Sequence, residues 1–135
     1  MDYLLDTHIV YWSLYDKERL PKDIVEIIED ERNNIYISSI SIWEISLKHL
    51  KNPRTMVVSG TEFYQDCLDN NYLILPFLAK DIIDYESIKV KEGKTVNKDP
   101  FDRMIIAIAR HQNCMLCTCD KRMNYYDDSR ILVFG

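Results

Sequence analysis

Glycine and proline are scarce in this chain, at three and four of 135 residues, and no stretch is dominated by one residue type. That excludes a Pro/Gly-rich disordered or fibrous protein, and 47 % hydrophobic residues leave a chain able to fold throughout. No apolar run approaches the roughly 18 residues a bilayer span requires. The opening stretch MDYLLDTHIVYW carries acid where a signal peptide carries base. The expectation is a cytoplasmic protein with no membrane partner. Excess positive charge is missing too: 22 acids against 17 bases give a net charge of −5. That argues against a broad basic field that coats nucleic acid, while a local basic groove, or a metal that offsets the acids, stays open. Disulfides are not expected of the four cysteines in a cytosolic chain, although three cluster in CMLCTC. A zinc site there would need a fourth ligand such as His111. A strand over Met115 to Thr118 would point neighbouring cysteines to opposite faces, so buried thiols are the expected outcome.

What is present is enough sequence for one compact domain, read as a single domain over residues 1–135. YLLD (Tyr3 to Asp6) reads as a strand ending on an acid, with THIVYWSLY as a helix after it. LPKDIVEIIEDERNN spaces Ile24, Ile27 and Ile28 as an amphipathic helix, followed by a strand at Ile35 to Ser38. SIWEISLKHLKN reads as a helix with Trp43, Leu47 and Leu50 on one stripe, and TEFYQDCLDNN as another. YLILP is a third strand, AKDIIDYESIKVKEG a helix, and DPFDRMIIAIARHQ a helix. MLCT and RILVF complete the strands. Short, nearly continuous apolar strands alternating with helices predict a three-layer α/β/α sandwich around a mostly parallel sheet of four or five strands. Sites in such sheets form where strand carboxyl ends meet the helices that follow.

Four acids belong at that rim. Asp6 closes the first strand, Asp120 follows the fourth, and Glu44 stands three residues after Ser41 in a capping-box spacing. In NKDPFDR, Asp99 fits an N-cap, Pro100 the first helical position, and Asp102 the N3 position on the stripe of Ile105, Ile106 and Ala109. Helix capping explains each acid alone; it does not explain why acids from separate segments converge. Carboxylates brought together repel, and an all-oxygen cluster suits a hard cation, Mg²⁺ or Mn²⁺. Such a centre supports phosphodiester hydrolysis by a metal-activated water.

These residues also carry a family resemblance. Through LLDTH, SISIWEISLK, DPFDRMIIAIA and LCTCD, in order and approximate spacing, the chain resembles PIN-domain ribonucleases, and among them the VapC-type toxins of toxin–antitoxin pairs. The resemblance implies an α/β/α sandwich, Mg²⁺ or Mn²⁺ dependence, endonucleolytic cleavage of RNA, homodimers, and inhibition by a cognate antitoxin. It places Asp6, Glu44, Asp102 and Asp120 as catalytic metal ligands. Many relatives carry a His two residues before the first Asp of this DPFD stretch; here that residue is Asn97. Thr118 matches the threonine of the family's T-x-D.

Asp99, Thr118, Lys48 and Arg103 are the supporting candidates. Lys48 follows Glu44 at i+4, a spacing for an ion pair or an RNA contact. Arg103 can hold a phosphate, pair with a site acid, or face solvent. Lys89, Lys91, Lys94 and Lys98 are candidates for a phosphate path. His8 reads as structural, and Trp12 and Trp43 as core or dimer-face aromatics. Two other functions compete: a metal-free partner-binding module, and an aspartyl-phosphate phosphotransferase using Asp6, which the Asp6-Thr7-His8 stretch disfavours for want of D-x-D.

Overall fold

The computed structural model describes residues 1–96 and 99–135, so the readings made for Asn97 and Lys98 lie outside the described residues. Five strands, β1 (Asp2–Leu5), β2 (Asn34–Ser38), β3 (Leu73–Leu75), β4 (Met115–Thr118) and β5 (Ile131–Val133), form one sheet. Its order is β3-β2-β1-β4-β5, and all four pairings are parallel. Six α-helices among the described residues connect them: α1 (Thr7–Tyr15), α2 (Lys22–Glu29), α3 (Ser39–Lys51), α4 (Gly60–Asp69), α5 (Asp81–Ser87) and α6 (Pro100–Gln112). Among the described residues, no helix is long and apolar enough to cross a membrane.

Successive side chains of a strand point to opposite faces, so an unbroken apolar run serves two cores at once. Leu4 and Leu116 pack with Ile88, Ile105, Ile106 and Ile108 on the α5–α6 side. Leu5 and Cys117 pack with Ile9, Val10, Ile24 and Phe63 on the α1–α2–α4 side. The cysteines follow the same rule: Cys114 belongs to the first core and Cys117 to the second, and all four are free thiols. Burial pushes the Cys114 thiol up to about 11 and Cys117 to about 12, which keeps both protonated and inert.

The sheet runs outward from β1 in both directions, so its topological switch point lies between β1 and β4. The elements around that point are firmly seated. A Cβ on Gly60 would stand 1.7 Å from Ser46 Oγ, so glycine alone lets α4 close against α3. Ser59 and Glu62 form a reciprocal capping box on α4, at 3.1 and 3.3 Å. Asn113 ends α6 in the left-handed region, φ 61°.

Three readings need correction. Ser38, not Ser41, caps α3, accepting from the Ile40 amide at 3.0 Å; Ser41 lies a turn further in and is fully buried. The stripe Trp43–Leu47–Leu50 is exposed, at 48, 41 and 79 %, because α3 turns Ile40, Ser41 and Ile45 inward instead. The helix expected over residues 79–93 stops at Ser87. Beyond it Val90 forms an antiparallel bridge with Tyr126, so the backbone finds its partners across a gap rather than along a helix.

Candidate active site

Asp6, the residue after β1, is held at both carboxylate oxygens. The Thr7 amide donates to Oδ1 at 2.8 Å and the Thr118 hydroxyl to Oδ2 at 2.7 Å. Thr118, fully buried at the end of β4, also accepts from the Asp120 amide at 3.0 Å. One hydroxyl thereby ties the ends of the two strands at the switch point to each other and to two of the acids.

Glu44 reaches the same rim from α3. Its Oε1 lies 2.8 Å from the Thr7 hydroxyl, which is also 2.8 Å from Ser41 Oγ. A hydroxyl has one proton to give, and a carboxylate is the stronger acceptor, so the chain runs Ser41 to Thr7 to Glu44. Lys48 Nζ meets the other oxygen, Oε2, at 2.8 Å, the i,i+4 pair its spacing predicts. Thr7 and Ser41 are thus members of the site that sequence reasoning did not select. Ser41 appeared only as a cap, and Thr7 only as a neighbour of Asp6 with no role of its own.

Asp99 caps α6 by accepting from the Phe101 amide at 2.9 Å, with Pro100 at the first helical position. One turn in, Asp102 is half-buried and makes no hydrogen bond to another side chain among those described. Burial, and then the charges of Asp6, Asp99, Asp120 and Glu44 in that order of size, together push its carboxyl up to about 7. Asp6 is raised as well, chiefly by burial, against the pull of its two hydrogen bonds. Asp120 behaves differently. Burial works to raise it, but Arg122 outweighs burial and holds it below the usual carboxylate range. The Arg122 amide and Nε meet Oδ1 at 3.0 and 3.2 Å, and Nη2 meets Oδ2 at 3.1 Å.

The structure therefore brings Asp6, Glu44, Asp102 and Asp120 within mutual electrostatic reach. Two of them, Glu44 and Asp120, are already paired with cations of the same chain. Among the described residues, no three acidic, histidine or cysteine side chains stand together at ligating geometry. The donor set nonetheless fits a hard divalent cation: every donor is a carboxylate oxygen, and the unrelieved repulsion centres on Asp102. Arg103 is directed elsewhere. Its guanidinium donates to the Tyr85 and Ile88 carbonyls at 3.3 and 2.8 Å and stacks on Tyr85 and Tyr126. His111 lies 3.3 Å from Asp84, which leaves it paired to a carboxylate on α5. Lys91 and Lys94 lie beside the segment after Asp120: the Lys91 amide donates to the Tyr125 carbonyl at 2.7 Å, and Lys94 Nζ stands 5.0 Å from the Tyr125 ring centre.

A parallel α/β/α fold with a carboxylate centre at its switch point is the class of molecule these observations define. A PIN-domain family model matches residues 3–129, and the chain belongs to that family. The fold is shared with solved structures. The chain superposes on VapBC2 from Rickettsia felis, bound to a DNA fragment from its promoter, with a TM-score of 0.71 and 19 % identity over 100 % of both chains. DNA-bound VapBC from Salmonella typhimurium gives 0.70 and 18 % over 98 % of each chain. FitAcB from Neisseria gonorrhoeae gives 0.62 and 23 % over 98 % of this chain and 96 % of that one. No curated protein matches the sequence.

Proposed function

We infer that the protein is a divalent-metal-dependent endoribonuclease, the toxin of a toxin–antitoxin pair acting in the cytoplasm. The observation that carries this reading is Asp102, held up to about 7 first by burial and then by the charges of carboxylates from separate segments. Membership of a family whose members are in general nucleases supports it. Asp6, Glu44, Asp102 and Asp120 are the residues that would hold Mg²⁺ or Mn²⁺. When bound, that ion supplies Lewis-acid chemistry: a more acidic water and positive charge at the leaving oxygen.

The chain's own residues do the positioning. Thr118 and the Thr7 amide fix the Asp6 carboxylate, and Thr7 and Lys48 fix Glu44, so neither acid has to be ordered during the reaction. Asp99 and Pro100 set where α6 begins, which aims Asp102 at the rim. Arg122 keeps Asp120 ionised. A protein partner, read as a cognate antitoxin, is supported by the likeness to VapBC and FitAcB structures. A homodimer is supported by the exposed apolar side chains Trp43, Leu47 and Leu50.

The test is purified chain, free of any partner, incubated with total RNA and Mg²⁺ or Mn²⁺ beside the Asp102→Asn variant. Cleavage by the wild type alone is expected; equal cleavage by both proteins overturns the assignment. A metal-free partner-binding module is the second reading, favoured by the cations already seated on Glu44 and Asp120. Absence of cleavage of every RNA class, with no thermal shift on adding Mn²⁺, would select it. The phosphotransferase stays disfavoured by the Asp6-Thr7-His8 stretch, which lacks the second aspartate of a D-x-D pair.

A further inference from the structure

Beside the acids, on the β4–β5 flank, lies a second feature that the metal centre does not use. A cleft of about 500 Å³ opens between α1, the start of α2 and the end of β5. Its walls include Cys119 and Lys121, the two residues flanking Asp120, so the cleft borders the segment that carries that acid. Trp12 and Phe134 supply flat apolar surface, and Arg19, Lys22 and Lys121 supply three positive charges against the single acid Asp23. In a chain of net charge −5 such a local excess of cations stands out.

The aromatic groups form a track toward the acids. His8 stands two residues after Asp6, in the first turn of α1. One turn further along α1, Trp12 lies 5.9 Å from the His8 ring. The Arg19 guanidinium stands 5.6 Å over Trp12 and pairs with the exposed Asp16 at 3.6 Å. Planar groups interleaved with cations, open to solvent and leading away from an acidic centre, match the needs of a nucleic-acid strand. Bases stack on indole or guanidinium planes, and phosphates take the lysines.

We propose that this cleft is a nucleotide subsite: the strand leaving the acidic centre places a base against the Trp12–Arg19 layer and its phosphate near Lys121 and Lys22. The proposal rests on the ribonuclease reading and specifies where the substrate lies. A single-stranded substrate follows, because a base must leave its pairing partner to stack there.

The test is anisotropy of a fluorescein-labelled single-stranded hexaribonucleotide in EDTA, so that binding is read without cleavage. Trp12→Ala is expected to weaken binding about 5- to 100-fold, and Trp12→Phe to restore most of it. Lys121→Gln should flatten the slope of log affinity against log salt by about 0.7. Should Trp12→Ala fail to fold by circular dichroism, the exposed Arg19→Gln substitution must still weaken binding. In a Trp43→Phe background, AMP should quench the remaining Trp12 fluorescence. Wild-type RNA affinity in folded Trp12→Ala, or binding with no quenching, overturns the subsite and leaves the nuclease reading standing; it would assign the cleft to a protein partner. A wild-type chain that neither binds nor cleaves RNA overturns both.

Discussion

Replacing Asp102 by asparagine should stabilise the protein, and the gain should depend on pH. The carboxyl is pushed from 3.8 to about 7 on folding, chiefly by burial and then by Asp6, Asp99, Asp120 and Glu44. Above about pH 4 the unfolded chain ionises this group while the folded chain keeps its proton. Asp102 therefore costs stability that increases as pH rises from about 4 to 7 and is constant above. At about 1.4 kcal/mol per unit the full shift corresponds to ~4 kcal/mol. Asp102 is only half-buried, and water screens part of the repulsion, so about 2 kcal/mol is expected. Asparagine resembles the protonated acid and carries none of this cost. Thermal melts in EDTA should show Asp102→Asn ahead of wild type by about 5 °C at pH 8, with the gap closing toward pH 4. Adding Mn²⁺ at pH 8 should raise wild type and leave the variant unmoved. A variant melting below wild type at pH 8, or a gap that does not change with pH, would refute the reasoning.

Thr118→Val should lose the 2.7 Å bond to Asp6, cost about 1–2 kcal/mol in denaturant melts and weaken Mn²⁺ binding measured by calorimetry. Asp99→Ala removes the cap on α6 and should cost about 1 kcal/mol of stability, with a much smaller loss of cleavage rate than Asp102→Asn produces. Gly60→Ala places a methyl 1.7 Å from Ser46 Oγ and 2.9 Å from Ser46 Cβ. It should cost about 1–3 kcal/mol in melts, a loss that Ser46→Gly in the same chain largely restores.

Strand by strand, the sheet was legible because its strands are buried on both faces, which leaves the unbroken runs YLLD, IYIS and MLCT. Helix starts with local chemistry were legible too, and NKDPFDR split into cap and inward-facing acid as its spacing implies. Orientation about a helix axis was not. For α3 the Trp43 stripe is the larger apolar surface, yet Ser38 caps the helix directly after β2, and that junction turns Ile40 and Ile45 to the core. The role of Thr7 was hidden for a related reason. Its hydroxyl meets Glu44 across 37 positions, and no local pattern encodes such a contact. Arg103 shows the same limit in reverse: adjacency to Asp102 in sequence puts it on the next face of α6, over Tyr85.

Thr118 and Asp6 are 112 positions apart, and they meet only because β4 slots in beside β1. The first of the four acids to be made during synthesis thus lacks its Thr118 partner until β4 exists, and closing so long a loop is a slow folding event. No fragment that ends before Asp120 carries all four acids. The chemistry arrives in one step with the docking of the last central strand, and a fluctuation that lifts β4 away dismantles it just as abruptly.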